Sequence, residues 1–325
     1  MSVLVTGGTG AIGSWVCRKL VEQGHDCVAL DISPNKSLLQ GVDESHLKIE
    51  RCDVTDLPSV LDVIKRNKVK QIIHTAAILI EDADRNPGLA LKINCGGTMN
   101  LLEASRLMDV ERFVFTSTGG VLGPTYGEYG HPQYKPMGED MRVNPVGMYS
   151  TTKIFCEGLG LTCNKTYGID FVAVRFKSLY GPMRHRHATV ARVDRLVVQA
   201  LLGEPMILPA NGFIKNDWTY NKDCAKALVL AALSKSLKNR LYHIGTQRGT
   251  SLEEVAKIVQ RLIPGSKTKV EGTKQEETAV AGQGGVLDIT RAKQDMGYTP
   301  DFDIEKGLTD YLQVMKEFKL EVIPM

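Results

Sequence analysis

Short runs of branched apolar residues alternate with longer amphipathic stretches through the first 176 residues of the chain. Continuous apolar runs separated by stretches of helical period are typical of a parallel sheet that helices cover on both faces. The runs predict strands at residues 3–6, 26–30, 47–52, 71–74, 113–116 and 171–175. The stretches between them predict helices at residues 12–23, 57–66, 89–108 and 148–166. We therefore expect an α/β fold built on a doubly wound parallel sheet.

The rhythm changes after Pro182, where strands become scarce. The pattern there predicts a strand at residues 241–244 and helices at residues 190–202, 224–233, 252–262 and 304–318. We expect residues 1–176 to form the sheet domain, with returning segments near 217–247. Residues 177–325 should then form a smaller α/β lobe that binds substrate.

Composition and charge narrow the class of protein. Lys and Arg number 40 against 37 Asp and Glu, a net charge of +3 that does not favour nucleic-acid binding. The longest apolar run, residues 227–233, is too short for a membrane helix, and the N-terminus does not resemble a signal peptide. Seven cysteines without a C-x-x-C pair favour reduced thiols and no metal site. We expect a cytoplasmic protein.

A glycine-rich segment, TGGTGAIG at residues 6–13, joins the first strand to the first helix. Gly7 permits the tight turn, Gly10 lets a pyrophosphate approach the backbone, and Gly13 lets the helix pack closely on the strand. The helix N-terminus that follows offers free N–H groups to the phosphates. This context predicts a Rossmann dinucleotide site, with a ligand-free glycine turn as the alternative.

Two acidic residues at strand ends extend this prediction. Asp31 follows Gly13 by 18 residues, where a carboxylate accepts hydrogen bonds from the adenosine ribose and repels a 2′-phosphate. NAD is therefore favoured over NADP, although Lys36 lies close in sequence. Asp53, followed by Val54, ends the third strand and can meet the adenine amino group. An ordinary strand-end aspartate is the alternative there.

Three further residues predict acid–base catalysis. Tyr149 and Lys153 lie four apart in a predicted helix, so both project from one face. The ammonium of Lys153 stabilises the phenolate form of Tyr149, which can then exchange a proton with an alcohol. Thr118 follows the fifth strand, at the sheet edge where such folds bind ligands, and can hold the substrate oxygen.

These residues together resemble the extended short-chain dehydrogenase/reductase family, which comprises NAD-dependent sugar epimerases, dehydratases and related dehydrogenases. The resemblance covers almost the whole chain. It is carried by residues 6–13, 31, 53–54, 74–77, 94, 97–98, 115–118, 149–153 and 175–182. It implies a bound NAD and a homodimer formed through the helices predicted at residues 89–108 and 148–166.

The resemblance also implies roles for further residues. Ala76 and Thr116 would line the ribose side of the cofactor, Asn94 would support the site, and Lys153 would bind the nicotinamide ribose as well. Phe176 would pack against the nicotinamide. Ala11, Ile12 and Ala77 complete the predicted cofactor contacts, and Ser178 and Arg184 are the predicted substrate contacts.

Three departures from the family pattern bear on the substrate. Gly119 and Gly120 stand where dehydratases carry an acidic pair, which argues against dehydration. Asn216 stands where nucleotide-sugar enzymes place an arginine, and an amide cannot replace the charge or the fork of a guanidinium. Ser178 replaces a common asparagine, and no arginine occurs at residues 276–285. These losses favour a smaller substrate, whose carboxylate or phosphate Arg184 could bind unless that segment is a solvated turn.

Three hypotheses follow. The first is a dehydrogenase that moves a hydride between NAD and a secondary alcohol or ketone of a small polar substrate, such as a sugar-like compound, a polyol or a hydroxy acid. The second is a sugar epimerase that retains its NAD. The third is a non-catalytic NAD-binding protein, which the intact set of Thr118, Tyr149 and Lys153 disfavours. That set serves the first two reactions equally well.

Overall fold

Seven parallel strands form the central sheet of the protein, in a computed structural model that describes residues 1–183, 191–271 and 284–324. The strands are β1 (Ser2–Thr6), β2 (Asp26–Asp31), β3 (Leu47–Arg51), β4 (Val69–His74), β5 (Arg112–Thr118), β6 (Asp170–Phe176) and β10 (Leu241–Ile244). Their order in the sheet is β10-β6-β5-β4-β1-β2-β3, and every neighbouring pair is parallel. The expected α/β parallel-sheet fold is confirmed.

Both faces of this sheet are buried, which explains the continuous apolar runs in the sequence. Side chains alternate along a strand, so Val5 enters one apolar cluster and its neighbour Leu4 enters the other. The eleven helices of the described residues are α1 (Gly13–Glu22), α2 (Leu57–Arg66), α3 (Ile80–Arg85), α4 (Pro87–Ala90), α5 (Gly97–Leu107), α6 (Gly147–Tyr167), α7 (Arg192–Leu201), α8 (Asn221–Leu233), α9 (Leu252–Leu262), α10 (Thr290–Met296) and α11 (Ile304–Glu317). Helices α1 and α8 cover one face, whereas α2, α5 and α6 cover the other.

The order of the sheet reverses between β1 and β4, because the chain builds outward from β1 in one direction and from β4 in the other. A parallel sheet opens a crevice at such a point, beyond the carboxyl ends of its strands. Thr6 ends β1 and His74 ends β4, so the loops that follow these two residues form the floor of the crevice.

Two small sheets lie beyond this edge. One joins β7 (Ser178–Tyr180), β9 (Lys215–Tyr220) and β11 (Gly249–Ser251), and the other pairs β8 (Met206–Pro209) with β12 (Thr268–Glu271). A third apolar cluster around Tyr180, Trp218 and Tyr311 holds the first of them to α7, α9 and α11. The division into domains 1–176 and 177–325 stays a prediction, and β10 and α8, from residues 217–247, lie with the central sheet.

The strands of the small sheets escaped the sequence pattern, because four of the five contain only three or four residues, too few to show a period. The predicted helix at 89–108 is interrupted, since Leu91–Gly96 adopts the wider π-helical form between α4 and α5. Among the described residues, no helix is long and apolar enough to cross a membrane.

Candidate active site

The loop between β1 and α1 folds tightly back on itself. Gly7 adopts a φ of +62°, a conformation that favours glycine. A Cβ on Gly13 would lie 2.1 Å from the carbonyl oxygen of Gly7, so only glycine fits there. A Cβ on Gly10 would meet nothing within 4 Å except that same oxygen, at 3.2 Å. The loop therefore presents an open backbone surface beside the N-terminus of α1.

Asp31, at the end of β2, is tied to the glycine loop. Its carboxylate accepts hydrogen bonds from the hydroxyl of Thr9 at 2.8 Å, from the Thr9 amide at 3.3 Å and from the Ser33 amide at 3.1 Å. The side chain stays partly exposed. Thr9 thus fixes the direction of the carboxylate, a role that the sequence pattern did not reveal.

A chain of uncharged hydrogen bonds joins β1 to β4 at the point where the sheet order reverses. Buried His74 contacts the Thr6 hydroxyl through Nδ1 at 2.6 Å and the Thr98 hydroxyl through Nε2 at 3.1 Å. Because Thr98 donates its proton to the carbonyl of Asn94, we assign the ring proton to Nε2. Burial lowers the pKa of His74 to about 3, so the ring is neutral. The Thr6 hydroxyl also accepts the Ala76 amide at 3.3 Å, which positions the loop after β4.

Asn94, in the π-helical segment, contacts protein groups on each side. Its amide bonds both backbone groups of Ile78, at 3.0 and 3.1 Å, and its nitrogen donates to the Thr152 hydroxyl at 3.1 Å. These bonds connect the loop after β4 to α6, which carries Tyr149. Asn94 therefore positions the crevice wall, and direct contact with a cofactor stays a prediction.

A crevice of about 340 Å³ opens at the predicted sheet edge. Eight of the predicted site residues line it: Ile12, Ala77, Thr116, Thr118, Tyr149, Lys153, Phe176 and Ser178. Its lining also includes residues that the sequence interpretation gave no role there, among them Thr75, Lys177, Leu179, Arg192 and Gly284. Trp218, a member of the third apolar cluster, lines it too. The sequence therefore identified most of the wall that follows β1, β4 and β5, and few residues of the wall that carries Lys177 and Arg192.

Tyr149, Thr118 and Lys153 meet inside this crevice. The Lys153 ammonium donates to the Thr116 carbonyl at 2.8 Å and lies 5.6 Å from the centre of the Tyr149 ring. Burial lowers the pKa of Lys153 to about 8. The Thr118 hydroxyl accepts the Gly120 amide at 3.0 Å, which leaves its own proton for a further acceptor. The arrangement can hold an alcohol oxygen between two hydroxyls beside a cation.

One buried polar atom of the crevice wall has no partner among the described residues. The hydroxyl of Thr116 is inaccessible and makes no hydrogen bond with this part of the chain. Since leaving a buried hydroxyl unpaired is costly, a ligand hydroxyl at this position would satisfy it. This atom, together with the open surface at Gly10, fits the dinucleotide that the sequence predicts.

The opposite wall carries positive charge. Lys177 and Arg192 line the crevice along with Asn216, and no Asp or Glu does so among the described residues. Burial lowers the pKa of Lys177 to about 8, an effect that the negative charge of Asp217 partly offsets. A lysine directly after the apolar strand β6 is the feature of the sequence that could have revealed this wall.

The remaining predicted residues lie outside this crevice or outside the described structure. Asp53 accepts a hydrogen bond from the Thr55 amide at 2.8 Å. Val54 is buried, and its side chain packs closely against Gly97. The others that do not line it are Gly7, Gly10, Ala11, Gly13, Asp31, Ala76 and Asn94. Arg184, and most of the segment 276–285 in which no arginine was found, fall outside the described residues.

Comparison with known proteins bears directly on this geometry. The model of the NAD-dependent epimerase/dehydratase family matches residues 3–245. The chain belongs to this family. A Methanocaldococcus jannaschii protein provisionally named UDP-glucose 4-epimerase is 30% identical over 317 residues, covering 97% of this chain and 98% of that protein.

Two solved structures are similar over nearly the full length. The UDP-glucose 4-epimerase of Thermotoga maritima, with UDP-glucose, has a TM-score of 0.86 at 25% identity and covers 99% of this chain and 100% of its own. The Thermus thermophilus UDP-glucose 4-epimerase, in complex with NAD, has a TM-score of 0.80 at 26% identity and covers 97% and 99%.

Membership confirms three predictions: the family resemblance, the enzymatic nature of the protein and NAD as its cofactor. The non-catalytic hypothesis is therefore set aside. The comparisons favour the epimerase alternative over our first hypothesis, a dehydrogenase of a small hydroxy acid or polyol. The inference from the missing arginine at Asn216 gave too little weight to other sources of charge.

Proposed function

We propose that this enzyme is a nucleotide-sugar epimerase that retains its NAD through the catalytic cycle. The observation that carries the proposal is the joint lining of one crevice. It brings together Thr118, Tyr149 and Lys153 for proton transfer, and Lys177 and Arg192 as cations. A nucleotide sugar offers a secondary hydroxyl for the first group and, in its diphosphate, an anion for Arg192. The epimerases that are similar to this chain over nearly their full length support this assignment.

Arg192 can supply the positive charge that is lost because Asn216 stands in place of an arginine. It is the first residue of α7, and its exposed side chain faces the crevice that Asn216 also lines. A guanidinium binds a diphosphate through paired hydrogen bonds, and the start of α7 adds a favourable dipole. We therefore assign the diphosphate to Arg192, with Asn216 and Ser178 as neutral partners.

The chain's own groups move the proton. Tyr149, as the phenolate held by the Lys153 ammonium, accepts the proton of the sugar hydroxyl while Thr118 donates to the same oxygen. The bound NAD supplies hydride uptake and return at the carbon that bears this oxygen. Epimerisation then requires the ketone to present its other face, after which Tyr149 returns the proton to the oxygen. Thr118 can follow the oxygen because its backbone contact with Gly120 leaves the hydroxyl proton unused.

We assign the cofactor to the glycine-loop side of the sheet. Gly7, Gly10 and Gly13, with Ala11 and Ile12, would hold the pyrophosphate, Asp31 the adenosine ribose, and Asp53 and Val54 the adenine. Thr116 and Lys153 would bind the nicotinamide ribose, and Ala76, Ala77 and Phe176 would enclose the ring, with Asn94 supporting that wall. The orphaned Thr116 hydroxyl supports this assignment.

The test is interconversion of UDP-glucose and UDP-galactose without added NAD, followed by proton NMR. We expect epimerisation by protein that keeps stoichiometric NAD after dialysis. The matched arm incubates the same protein with polyols, hydroxy acids and sugar acids plus free NAD, and follows absorbance of the reduced cofactor. Turnover in the second arm alone would replace the epimerase assignment with the dehydrogenase.

We also propose a cytoplasmic homodimer, paired through α5 and α6. These helices expose large apolar side chains: Met99, Leu107, Phe155 and Tyr167 are each more than 40% accessible. All seven cysteines are buried free thiols, which suits a reducing compartment. Light scattering should give twice the chain mass, and Phe155→Glu should halve it; an unchanged mass for this variant would move the interface elsewhere.

A further inference from the structure

Lys177 occupies the junction between the central sheet and the small three-stranded sheet. It is the single residue between β6, which ends at Phe176, and β7, which begins at Ser178. A Cβ on Gly119 would lie 3.2 Å from the Cβ of Lys177, and a Cβ on Gly285 would lie 3.3 Å from its Nζ. The side chain therefore runs along the crevice wall from the loop after Thr118 toward Gly285, past two glycines that leave room for it.

The ammonium of Lys177 has no close partner among the described residues, with which it forms no hydrogen bond and no ion pair. Asp217 is the acidic group that raises its pKa, but that carboxylate is occupied elsewhere. It accepts the Thr246 amide and hydroxyl, both at 2.7 Å, and the amides of Gln247 and Leu287 at 3.3 Å. A partly buried cation without a partner is costly to maintain unless a ligand supplies the negative charge.

The position of Lys177 selects which part of a nucleotide sugar it would meet. Its backbone adjoins Gly119, next to Thr118, which we assigned to the reacting oxygen. In the pyranose of UDP-glucose the diphosphate is attached to C1, across the ring from C4, which is the carbon that a 4-epimerase inverts. The substituent on C5 is adjacent to C4. Arg192, on α7, is the cation assigned to the diphosphate. The Lys177 ammonium is therefore left for a group attached close to the reacting carbon.

We infer that Lys177 binds a carboxylate on the sugar ring, and that the substrate is a nucleoside-diphosphate uronic acid. This inference rests on the proposed epimerase function and names its substrate class. A neutral hexose would leave the ammonium unpaired in the closed complex, whereas a uronate would pair with it through a charge-assisted hydrogen bond. Such a site discriminates strongly between substrates, because a substrate without the carboxylate leaves the ammonium of Lys177 buried and unpaired.

The experiment compares UDP-glucuronate with UDP-glucose as substrates of the full-length protein, with epimerisation followed by NMR. We expect the wild type to favour the uronate at least 10-fold in kcat/KM. Lys177→Met should lower kcat/KM for the uronate about 10- to 100-fold, the effect of losing one hydrogen bond to a charged group, and change UDP-glucose less than about 3-fold. Lys257→Met, on the exposed face of α9, is the matched control and should change neither.

Binding of UDP alone separates the carboxylate from the diphosphate. If Lys177 faces the sugar, UDP affinity by calorimetry is the same for the wild type and Lys177→Met. A fall in UDP affinity would transfer Lys177 to the diphosphate and overturn the inference.

The outcomes also separate this inference from the proposed function. Wild-type preference for UDP-glucose, or an equal loss for both sugars in Lys177→Met, would refute the uronate assignment while leaving an epimerase. Epimerisation of neither sugar by NAD-loaded wild type would refute the proposed function itself. Should the variant fail to fold, the wild-type preference between the two substrates still decides the substrate class, and Lys177→Gln replaces it in the test of the residue.

Discussion

The two walls of the crevice are built in different ways. The wall that we assign to the cofactor, called the cofactor wall, consists of backbone and small side chains from the segments after β1 and β4 and from the end of β5. Gly13 and the neutral His74 position it. The opposite wall consists of long charged or polar side chains, Lys177, Arg192 and Asn216, that come from three separated segments. The shape of the first wall is set by close backbone packing that few residue types permit. The chemistry of the second wall is set by side chains that can be replaced without moving the backbone.

The two walls therefore differ in how they tolerate substitution. A change at Gly13 would collide with the Gly7 carbonyl, so the cofactor wall tolerates little variation. Replacement of Lys177 or Arg192 alters charge in the crevice without a required movement of the backbone. Substrate class can therefore change by single substitutions, and the predictions below probe each wall in turn.

The largest effect is expected at the boundary between the walls. Tyr149→Phe removes the group that exchanges the proton and should lower turnover about 1000-fold, within the range for acid–base groups. NAD affinity should stay within about 3-fold, because the ring remains; Tyr126→Phe, on an exposed loop, is the control. Steady-state kinetics and cofactor titration measure both quantities. An equal loss of both would assign Tyr149 to cofactor binding instead.

Gly13→Ala should break the cofactor wall. The added Cβ would lie 2.1 Å from the Gly7 oxygen, so the loop or α1 must move. We expect a fall of about 3 kcal/mol in the free energy of unfolding and about 100-fold weaker NAD binding. Gly138→Ala is the matched control, since a Cβ there meets no atom within 4 Å. Normal NAD binding by Gly13→Ala would show that the loop is more adaptable than its packing indicates.

Asp31→Ala tests the choice of cofactor within the same wall. Loss of the carboxylate should weaken NAD about 30-fold and strengthen NADP, because the repulsion of a 2′-phosphate disappears. Glu44→Ala, an exposed carboxylate in the segment between β2 and β3, is the control. Fluorescence titration with both dinucleotides gives the ratio. An unchanged ratio would remove Asp31 from the ribose site.

Arg192→Met tests the opposite wall. The apolar stem is largely kept while the guanidinium is lost, so KM for the nucleotide sugar should rise about 10-fold. NAD affinity should not change, since Arg192 belongs to the wall that we assign to substrate. Arg195→Met, exposed on the same helix, is the matched control. A KM that stays constant would leave the diphosphate without its proposed partner.

The smallest effect concerns the pH dependence of stability. Burial holds the pKa of Lys153 at about 8, below the value of about 10.4 in the unfolded chain. Between these values the unfolded chain binds a proton that the folded chain has released, so the free energy of unfolding rises with pH. Lys153→Met should reduce that slope by up to about 1.4 kcal/mol per pH unit, measured by urea unfolding at pH 8–10. A slope equal to that of the wild type would mean that Lys153 stays charged in the fold.

The sequence predicted the cofactor wall well because its determinants are local. Glycine spacing, strand ends and the four-residue interval between Tyr149 and Lys153 all lie within one element or at its boundary. Strand ends fall at a common edge of a parallel sheet, so the convergence of Ile12, Ala77 and Thr116 followed from topology.

The opposite wall could not be predicted in the same way. Arg192 and Asn216 reach the crevice through α7 and β9, whose placement depends on tertiary packing around Trp218 rather than on any local period. The absence of arginine at position 216 was a correct observation, but the charge came from another element. Beyond Asn216 and Ser178, which the family resemblance placed near the substrate, Lys177 was accessible to sequence reasoning as a charged residue at the end of an apolar strand.

The join between β1 and β4 rests on His74, Thr6 and Thr98, none of which carries charge at neutral pH. Added salt should therefore leave this seam and the crevice geometry intact, while it screens the attraction that Lys177 and Arg192 exert on an approaching anion. Raising the ionic strength should therefore slow the association of substrate with the enzyme, while the structure of the crevice stays the same.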